Sequence, residues 1–308
     1  MAGIGLTRVQ ADGGALTGVR ARLGPHERDA EYEVWSHGAH VTRWQPVGGD
    51  PVLFLSARAR FAVGAGIRGG VPVCFPWFGA GRSGDLTPAH GFARVCDWVE
   101  LAVDDRTEQE GSLRVTYGLG SGDITNRPDA ERFPTEFAAE LEVSFSPVQL
   151  DVALRVCNVG DRELSYEAAL HTYLRTGDAA QVWLTGLEGA PYLDKVAAGT
   201  GAEVVRHQEG AVRFTQETDR VYTSDSPVRL HDPVLGRVLE VAKHGSATTV
   251  VWNPWVTKAA ALPDLGDDEW RSFVCVETAN TGSSSVRLAP GQQHEMSTTL
   301  TAHAVNNG

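Results

Sequence analysis

Apolar and polar residues alternate with period two along most of this chain, and glycine, proline and aspartate clusters interrupt the pattern about every ten residues. That period puts successive side chains on opposite faces of a strand, whereas an amphipathic helix needs a repeat of about 3.6 residues. Strands are expected for EYEVWS from Glu31, HVTRWQ from His40, LRVTYGL from Leu113, FAAELEVSF from Phe137 and VQLDVALRVCN from Val148. The same reading covers LSYEAALHTYL from Leu164, QVWLT from Gln181, VRLHD from Val228, RVLEVAKHG from Arg237, TTVVWNP from Thr248, RSFVCVETAN from Arg271 and HEMSTTLTAH from His294. Such spacing predicts stacked antiparallel sheets, a large all-β sandwich, with one domain over residues 1–308 and frayed ends. Only residues 256–270, where VTKAAAL loses the alternation and DDEW follows, read as one or two short helices.

Composition narrows the class. The chain has 308 residues, 42% of them apolar, and no stretch near the ~20 apolar residues that cross a bilayer. The beginning, MAGIGLTRVQADGG, has no charged segment leading into an apolar one, and no Asn stands in an Asn-x-Ser/Thr triplet. The four cysteines, Cys74, Cys96, Cys157 and Cys275, form no Cys-x-x-Cys pair. Buried thiols in a reducing cytoplasm are the expectation. A net charge of −12 disfavours nucleic acid and anionic membrane as partners, because such surfaces are met by a cationic face. An anionic substrate would therefore need a local basic pocket.

Gly64–Gly69 spells Gly-x-Gly-x-x-Gly, but the glycines lead into GVPVCFPWFG, where Pro72 and Pro76 forbid the helix that a dinucleotide fingerprint requires. The stretch Arg68–Gly79 reads as rigid, either a pocket wall or a core-filling connection. The aromatic face of Trp77 would suit the apolar face of a sugar ring. His90 follows a Gly/Ser/Asp/Pro-rich run that reads as a long loop, beside Gly91. His171 sits in an alternating strand with Glu167, Ala169 and Tyr173 on its face, where a structural hydrogen bond is the ordinary alternative to catalysis. Glu277 ends the strand RSFVCVE on the face of Phe273 and Cys275, where burial would raise its pKa toward the range of a useful base. The ten histidines show no metal-binding spacing, and no Gly-x-Ser-x-Gly elbow or Walker loop is present.

Taken together, RGGVPVCFPWFG (68–79), HGFAR (90–94), ALHTYL (169–174), ETDRVY (217–222), VVWNPW (250–255) and FVCVET (273–278) resemble the aldose 1-epimerase superfamily, in particular its hexose-6-phosphate mutarotase (glucose-6-phosphate 1-epimerase) branch. The resemblance implies a galactose mutarotase-like supersandwich and a reaction that exchanges the α and β anomers of a hexose 6-phosphate without metal or other cofactor. It implies Glu277 as general base and His171 as general acid, with His90 polarising the sugar and Asp219 holding its hydroxyls. Arg68 and Arg94 would bind the phosphate, with Arg60 a further candidate. The chain departs from the family after Glu277, reading ETANTGSSS where Pro-Gly often follows the glutamate.

The residue types fit this chemistry. Opening a pyranose hemiacetal removes the O1 proton while the ring oxygen is protonated, so a carboxylate and an imidazole on opposite sides of the sugar suffice. The open aldehyde turns about C1–C2 and recloses with C1 inverted. Forked arginine bonds to a phosphate dianion would supply the basic pocket on an acidic protein. The partner expected is a small sugar phosphate, bound by a monomer. Two rivals stand beside this reading. One is a non-catalytic sugar-binding protein on the same scaffold. The other is a glycoside-cleaving enzyme using Glu277 and Asp219 as its carboxyl pair.

Overall fold

A computed structural model describes residues 5–305 apart from 25, 27, 134 and 199–204. The expected frayed ends lie outside the described residues. Two large sheets dominate. The larger has nine strands in the order Val212–Arg213, Trp183–Thr185, Val228–Asp232, Arg237–His244, Gln293–Ala304, Gln149–Asn158, Phe137–Phe145, Ser112–Gly120 and Val99–Arg106. The second runs Val205–His207, Pro191–Asp194, Thr218–Thr223, Thr248–Asn253, Phe273–Asn280, Ala168–Leu170 and Val73–Cys74, and Tyr173–Arg175 pairs with Phe273–Asn280 as its eighth strand. An amino-terminal meander, Gly5–Ala11, Leu16–Arg22, Glu31–Trp35 and His40–Gln45, packs nearby through the stacked pair Tyr32 and Phe145. Pairing between strands is antiparallel throughout the described sheets.

Alternation decides which side chains meet. One hydrophobic cluster joins Tyr222, Val251, Val274 and Val276 of the eight-stranded sheet to Leu141, Leu154, Leu230 and Leu300 of the nine-stranded one. Burying each such aliphatic side chain contributes about 1.5–3 kcal/mol. The intervening residues Val221, Val250 and Ala279 belong to a separate cluster, and Tyr173, Phe273 and Cys275 to a third. The eight-stranded sheet thus turns one face to the sandwich core and the other to the candidate site.

The expected strand over 164–174 is divided into Leu164–Tyr166, Ala168–Leu170 and Tyr173–Arg175, the first of which leaves to pair with Val286–Leu288. The expected helical region holds the helix Trp255–Ala260 and the 3-10 turn Glu269–Ser272. No helix among the described residues is long and apolar enough to cross a membrane. All four cysteines are free, three of them buried and Cys157 half-buried.

Candidate active site

Sheet register assembles the site floor. Val221 pairs with Val250 and Val250 with Glu277. The pairing of Leu170 with Thr278 and of Tyr173 with Cys275 places His171 opposite Glu277 in the same register. Between those pairs the ladder opens. The His171 amide donates to the Pro72 carbonyl and the Val276 amide to that of Thr172. Two residues along each strand, on the same face, Asp219, Trp252, Cys275 and Tyr173 form a parallel row. Glu277 is 1% exposed and His171 7% exposed, with His171 Nε2 3.4 Å from Glu277 Oε1. The two groups stand side by side on the floor rather than on opposite sides of a bound sugar. Glu277 also does not end its strand, which continues to Asn280. Thr278 and Asn280 there are buried, and the Asn280 side chain donates to the Gly245 carbonyl and accepts from the Ala247 amide.

Above the floor lies a cleft of about 310 Å³, lined by Glu277, His171, Asp219, Trp252 and Val250 from the sheet, and by Phe78, Gly79, Ala89, His90, Arg68, Arg94, Lys195, Lys258 and Leu262 around it. His90 enters on the long loop expected from the sequence. Its backbone is left-handed (φ 66°), and its amide donates to the Gly79 carbonyl at 2.6 Å. The Gly79 amide donates back to His90 Nδ1 at 3.3 Å, and the Cys74 sulfur lies 3.4 Å from the same nitrogen. An Nδ1 that accepts leaves the ring proton on Nε2, so a neutral His90 offers the cleft a donor. Gly91 (φ 76°) permits this approach, since a Cβ there would lie 2.1 Å from the Phe75 carbonyl oxygen.

Burial governs the charges. It pushes the Glu277 carboxyl well above the usual carboxylate range, and the nearby Asp219 adds to the effect. It holds His171 down to about 3, reinforced by the Arg94 and Arg68 charges, and keeps His90 neutral for the same reasons. Asp219 is also raised by burial, against the pull of Lys195 and Lys258. Burial thus disfavours charge on both members of the Glu277–His171 pair.

The rim is cationic on a protein of net charge −12. Arg68 donates to the Tyr173 hydroxyl (2.9 Å) and to Asp264 (3.1 Å). Arg94 donates to the Ala89 carbonyl (2.8 Å), while its buried Nε has no partner among the described residues. Lys258 pairs with Glu217 at 2.8 Å, and Lys195 lies over the Phe78 ring. The structure thus brings together Glu277, His171, His90, Asp219, Arg68 and Arg94. Arg60 is exposed and outside the cleft. Trp77 is also outside it: its ring packs edge-on against Phe92 in the sandwich core and its Nε1 donates to the Pro88 carbonyl. The aromatic lining comes from its neighbour Phe78 and from Trp252, which stands edge-on to His171. Sequence reasoning missed Lys195 and Lys258. Both sit on short helices that follow strands of the eight-stranded sheet, and no spacing rule links them to Glu277. Among the described residues no group of three His, Cys, Asp or Glu is placed to hold a metal ion.

A family model described as "Aldose 1-epimerase" matches residues 25–301. A Salmonella typhimurium (strain LT2) protein named "Putative glucose-6-phosphate 1-epimerase" is 34% identical over 247 residues, 78% of this chain and 76% of its own length. A Cenchrus ciliaris protein of the same name is 35% identical over 269 residues, 85% and 78% of the two chains. The crystal structure of a Salmonella typhimurium "putative mutarotase" superposes with a TM-score of 0.83 at 29% identity, covering 99% of this chain and 95% of that one. A galactose mutarotase-like protein from Clostridium acetobutylicum shares the fold, with a TM-score of 0.71 at 14% identity over 98% and 99% of the chains.

Proposed function

This chain belongs to the aldose 1-epimerase family and is an isomerase, and on that premise we propose that it is a cytoplasmic mutarotase of hexose 6-phosphates in which Glu277 and His171 move the protons. The observation that carries the proposal is the Glu277–His171 pair, 3.4 Å apart on the floor of a cleft whose rim holds Arg68, Arg94, Lys195 and Lys258. Both reacting oxygens of a pyranose, O1 and the ring oxygen, are attached to C1. Two neighbouring groups can therefore address them together, one each.

In the ring-opening direction Glu277, as carboxylate, takes the O1 proton while His171, as imidazolium, protonates the ring oxygen. The products are a protonated Glu277, a neutral His171 and the open aldehyde. Reclosure on the other face of C1 reverses both transfers. The pair carries one titratable proton before and after each step, and burial disfavours the charged form of both groups. That preference makes the ionised carboxylate a stronger base and the imidazolium a stronger acid than either would be in water, which favours transfer in the opening direction. Neutral His90 would donate through Nε2 to a sugar oxygen, Asp219 would accept from hydroxyls, and Trp252 would back the ring. The cationic rim fits a phosphate dianion and answers the charge problem posed by the acidic chain.

Anomer exchange measured by NMR, side by side on glucose 6-phosphate and free glucose, tests the reading. The expected result is acceleration of both with a clear preference for the phosphorylated sugar. Unchanged spontaneous rates on both would identify a binding protein instead.

A further inference from the structure

We infer that Glu167 is a positioning residue for this reaction, whose carboxylate fixes the Phe78–Gly79 segment and through it the tautomer and placement of His90. The inference rests on the proposed mutarotase reading. Glu167 is 6% exposed and sits between the strands Leu164–Tyr166 and Ala168–Leu170, on the same face as His171 by alternation. One oxygen, Oε2, accepts from the Phe78 amide at 3.1 Å. The other, Oε1, accepts from the Gly282 amide at 2.7 Å and from the Thr281 hydroxyl at 3.3 Å, with the largely exposed Arg82 guanidinium 3.8 Å away. The Glu167 amide donates to the Pro76 carbonyl, so both its backbone and its side chain grip the same wall.

What lies next on that wall is the Gly79 peptide, whose amide meets His90 Nδ1 and whose carbonyl receives the His90 amide. The Phe78 ring also packs edge-on against the His90 imidazole, with centroids 4.8 Å apart. The Gly79 and Phe78 contacts of His90 therefore come from the segment that Glu167 tethers, beside the Cys74 sulfur 3.4 Å from the same Nδ1. Glu167 lines no part of the cleft that holds Glu277, so its effect would be transmitted and not direct. A carboxylate suits the position because it meets its donors with acceptors alone. A glutamine would turn an NH2 group toward at least one amide donor and lose that bond.

The test is Glu167→Gln, with Thr281→Val as a control that removes one donor and keeps both backbone bonds. Two-bond ¹H–¹⁵N spectra of protein labelled at histidine read the His90 tautomer directly, without substrate. Wild type and Thr281→Val are expected to hold the proton on Nε2. In Glu167→Gln a population with the proton on Nδ1 is expected, together with a fall in kcat of about tenfold or more and a smaller change in KM. If Glu167→Gln does not fold, Glu167→Asp, which withdraws the carboxylate but keeps its charge, is expected to show the same change in the spectrum. An unaltered His90 spectrum in the folded variant, or a loss of activity equal to that of Thr281→Val, overturns the inference. A wild type that exchanges no anomers would overturn the functional reading, whereas the spectrum judges the positioning claim by itself.

Discussion

Glu277 and His171 face each other in one register of the eight-stranded sheet, with Oε1 and Nε2 3.4 Å apart and each side chain's remaining polar atom, Oε2 and Nδ1, buried without a hydrogen-bond partner among the described residues. Such unpaired buried atoms cost stability unless a ligand or a reaction makes use of them. Glu277→Gln keeps the shape and removes the proton acceptor. Anomer exchange is expected to fall by about 10²–10⁴ with folding intact, checked by NMR exchange and thermal melting. Full activity in this variant would take Glu277 out of the mechanism.

Arg94 reaches the cleft with an unpaired Nε, so replacing it should remove a charge-assisted bond to phosphate worth about 1.5–3 kcal/mol. Arg94→Ala is expected to lower kcat/KM on glucose 6-phosphate by about tenfold or more while changing the value for free glucose far less. Equal losses on both sugars would count against a phosphate role. Arg60→Ala, from an exposed position outside the cleft, should leave both values unchanged.

Acid should unfold this protein through histidines that burial keeps neutral. His40 is fully buried, donates through Nε2 to the Gly69 carbonyl, and is held down to about 4, and His171 to about 3. In the unfolded chain each takes a proton below pH 6.5, and the folded chain refuses it until those lower values. Unfolding then binds protons, and stability falls as pH drops from about 6.5 to about 4, by roughly 3 kcal/mol for His40 alone. Urea titrations at pH 7, 6 and 5 measure the slope, and His40→Asn should flatten it. Glu277 acts with the opposite sign. Its raised pKa gives stability below pH 4.5 that is lost as pH rises, so Glu277→Gln should gain relative to wild type on the alkaline side.

Gly91 and Gly236 both have positive φ, 76° and 62°, but their surroundings differ. A Cβ at Gly91 would strike the Phe75 carbonyl, whereas one at Gly236 meets nothing within 4 Å. Gly236→Ala is expected to cost about 1–2 kcal/mol from its backbone alone. Gly91→Ala should cost clearly more and impair turnover through His90. Comparing melting temperatures and kcat of the two variants separates backbone strain from loss of the His90 position.

Trp252, and not the Trp77 singled out from the sequence, should be the tryptophan that the sugar meets. Trp77→Ala empties a core site and is expected to cost about 3–5 kcal/mol, with KM unchanged in whatever protein remains folded. Trp252→Ala, on the cleft floor, is expected to raise KM for the sugar. Urea unfolding and steady-state kinetics on both variants check this.

The sandwich was legible because the period of two survives along nearly every long strand, and the faces of His171 and Glu277 followed from it. What the pattern concealed is equally physical. Buried polar residues such as Thr278 and Asn280 look like a strand's exit, although the strand runs on through both, and the Asn280 side chain is satisfied by neighbouring backbone. In Phe75–Phe78 three large aromatic residues crowd around a proline, so no alternation tells Trp77, facing the core, from Phe78, facing the cleft. Lys195 and Lys258 approach from separate helices, a juxtaposition that exists only after the sheet has formed.

Val276 and Glu277 are chain neighbours that serve opposite sides of one strand, the first in the sandwich core and the second on the cleft floor. The consequence is a division of mutational freedom. Changes at 219, 250 or 252 can reshape what the cleft accepts while 222, 251, 274 and 276 keep the sheets together. A lineage, or a designer, can therefore trade one sugar for another on this scaffold without first finding a new way to fold it.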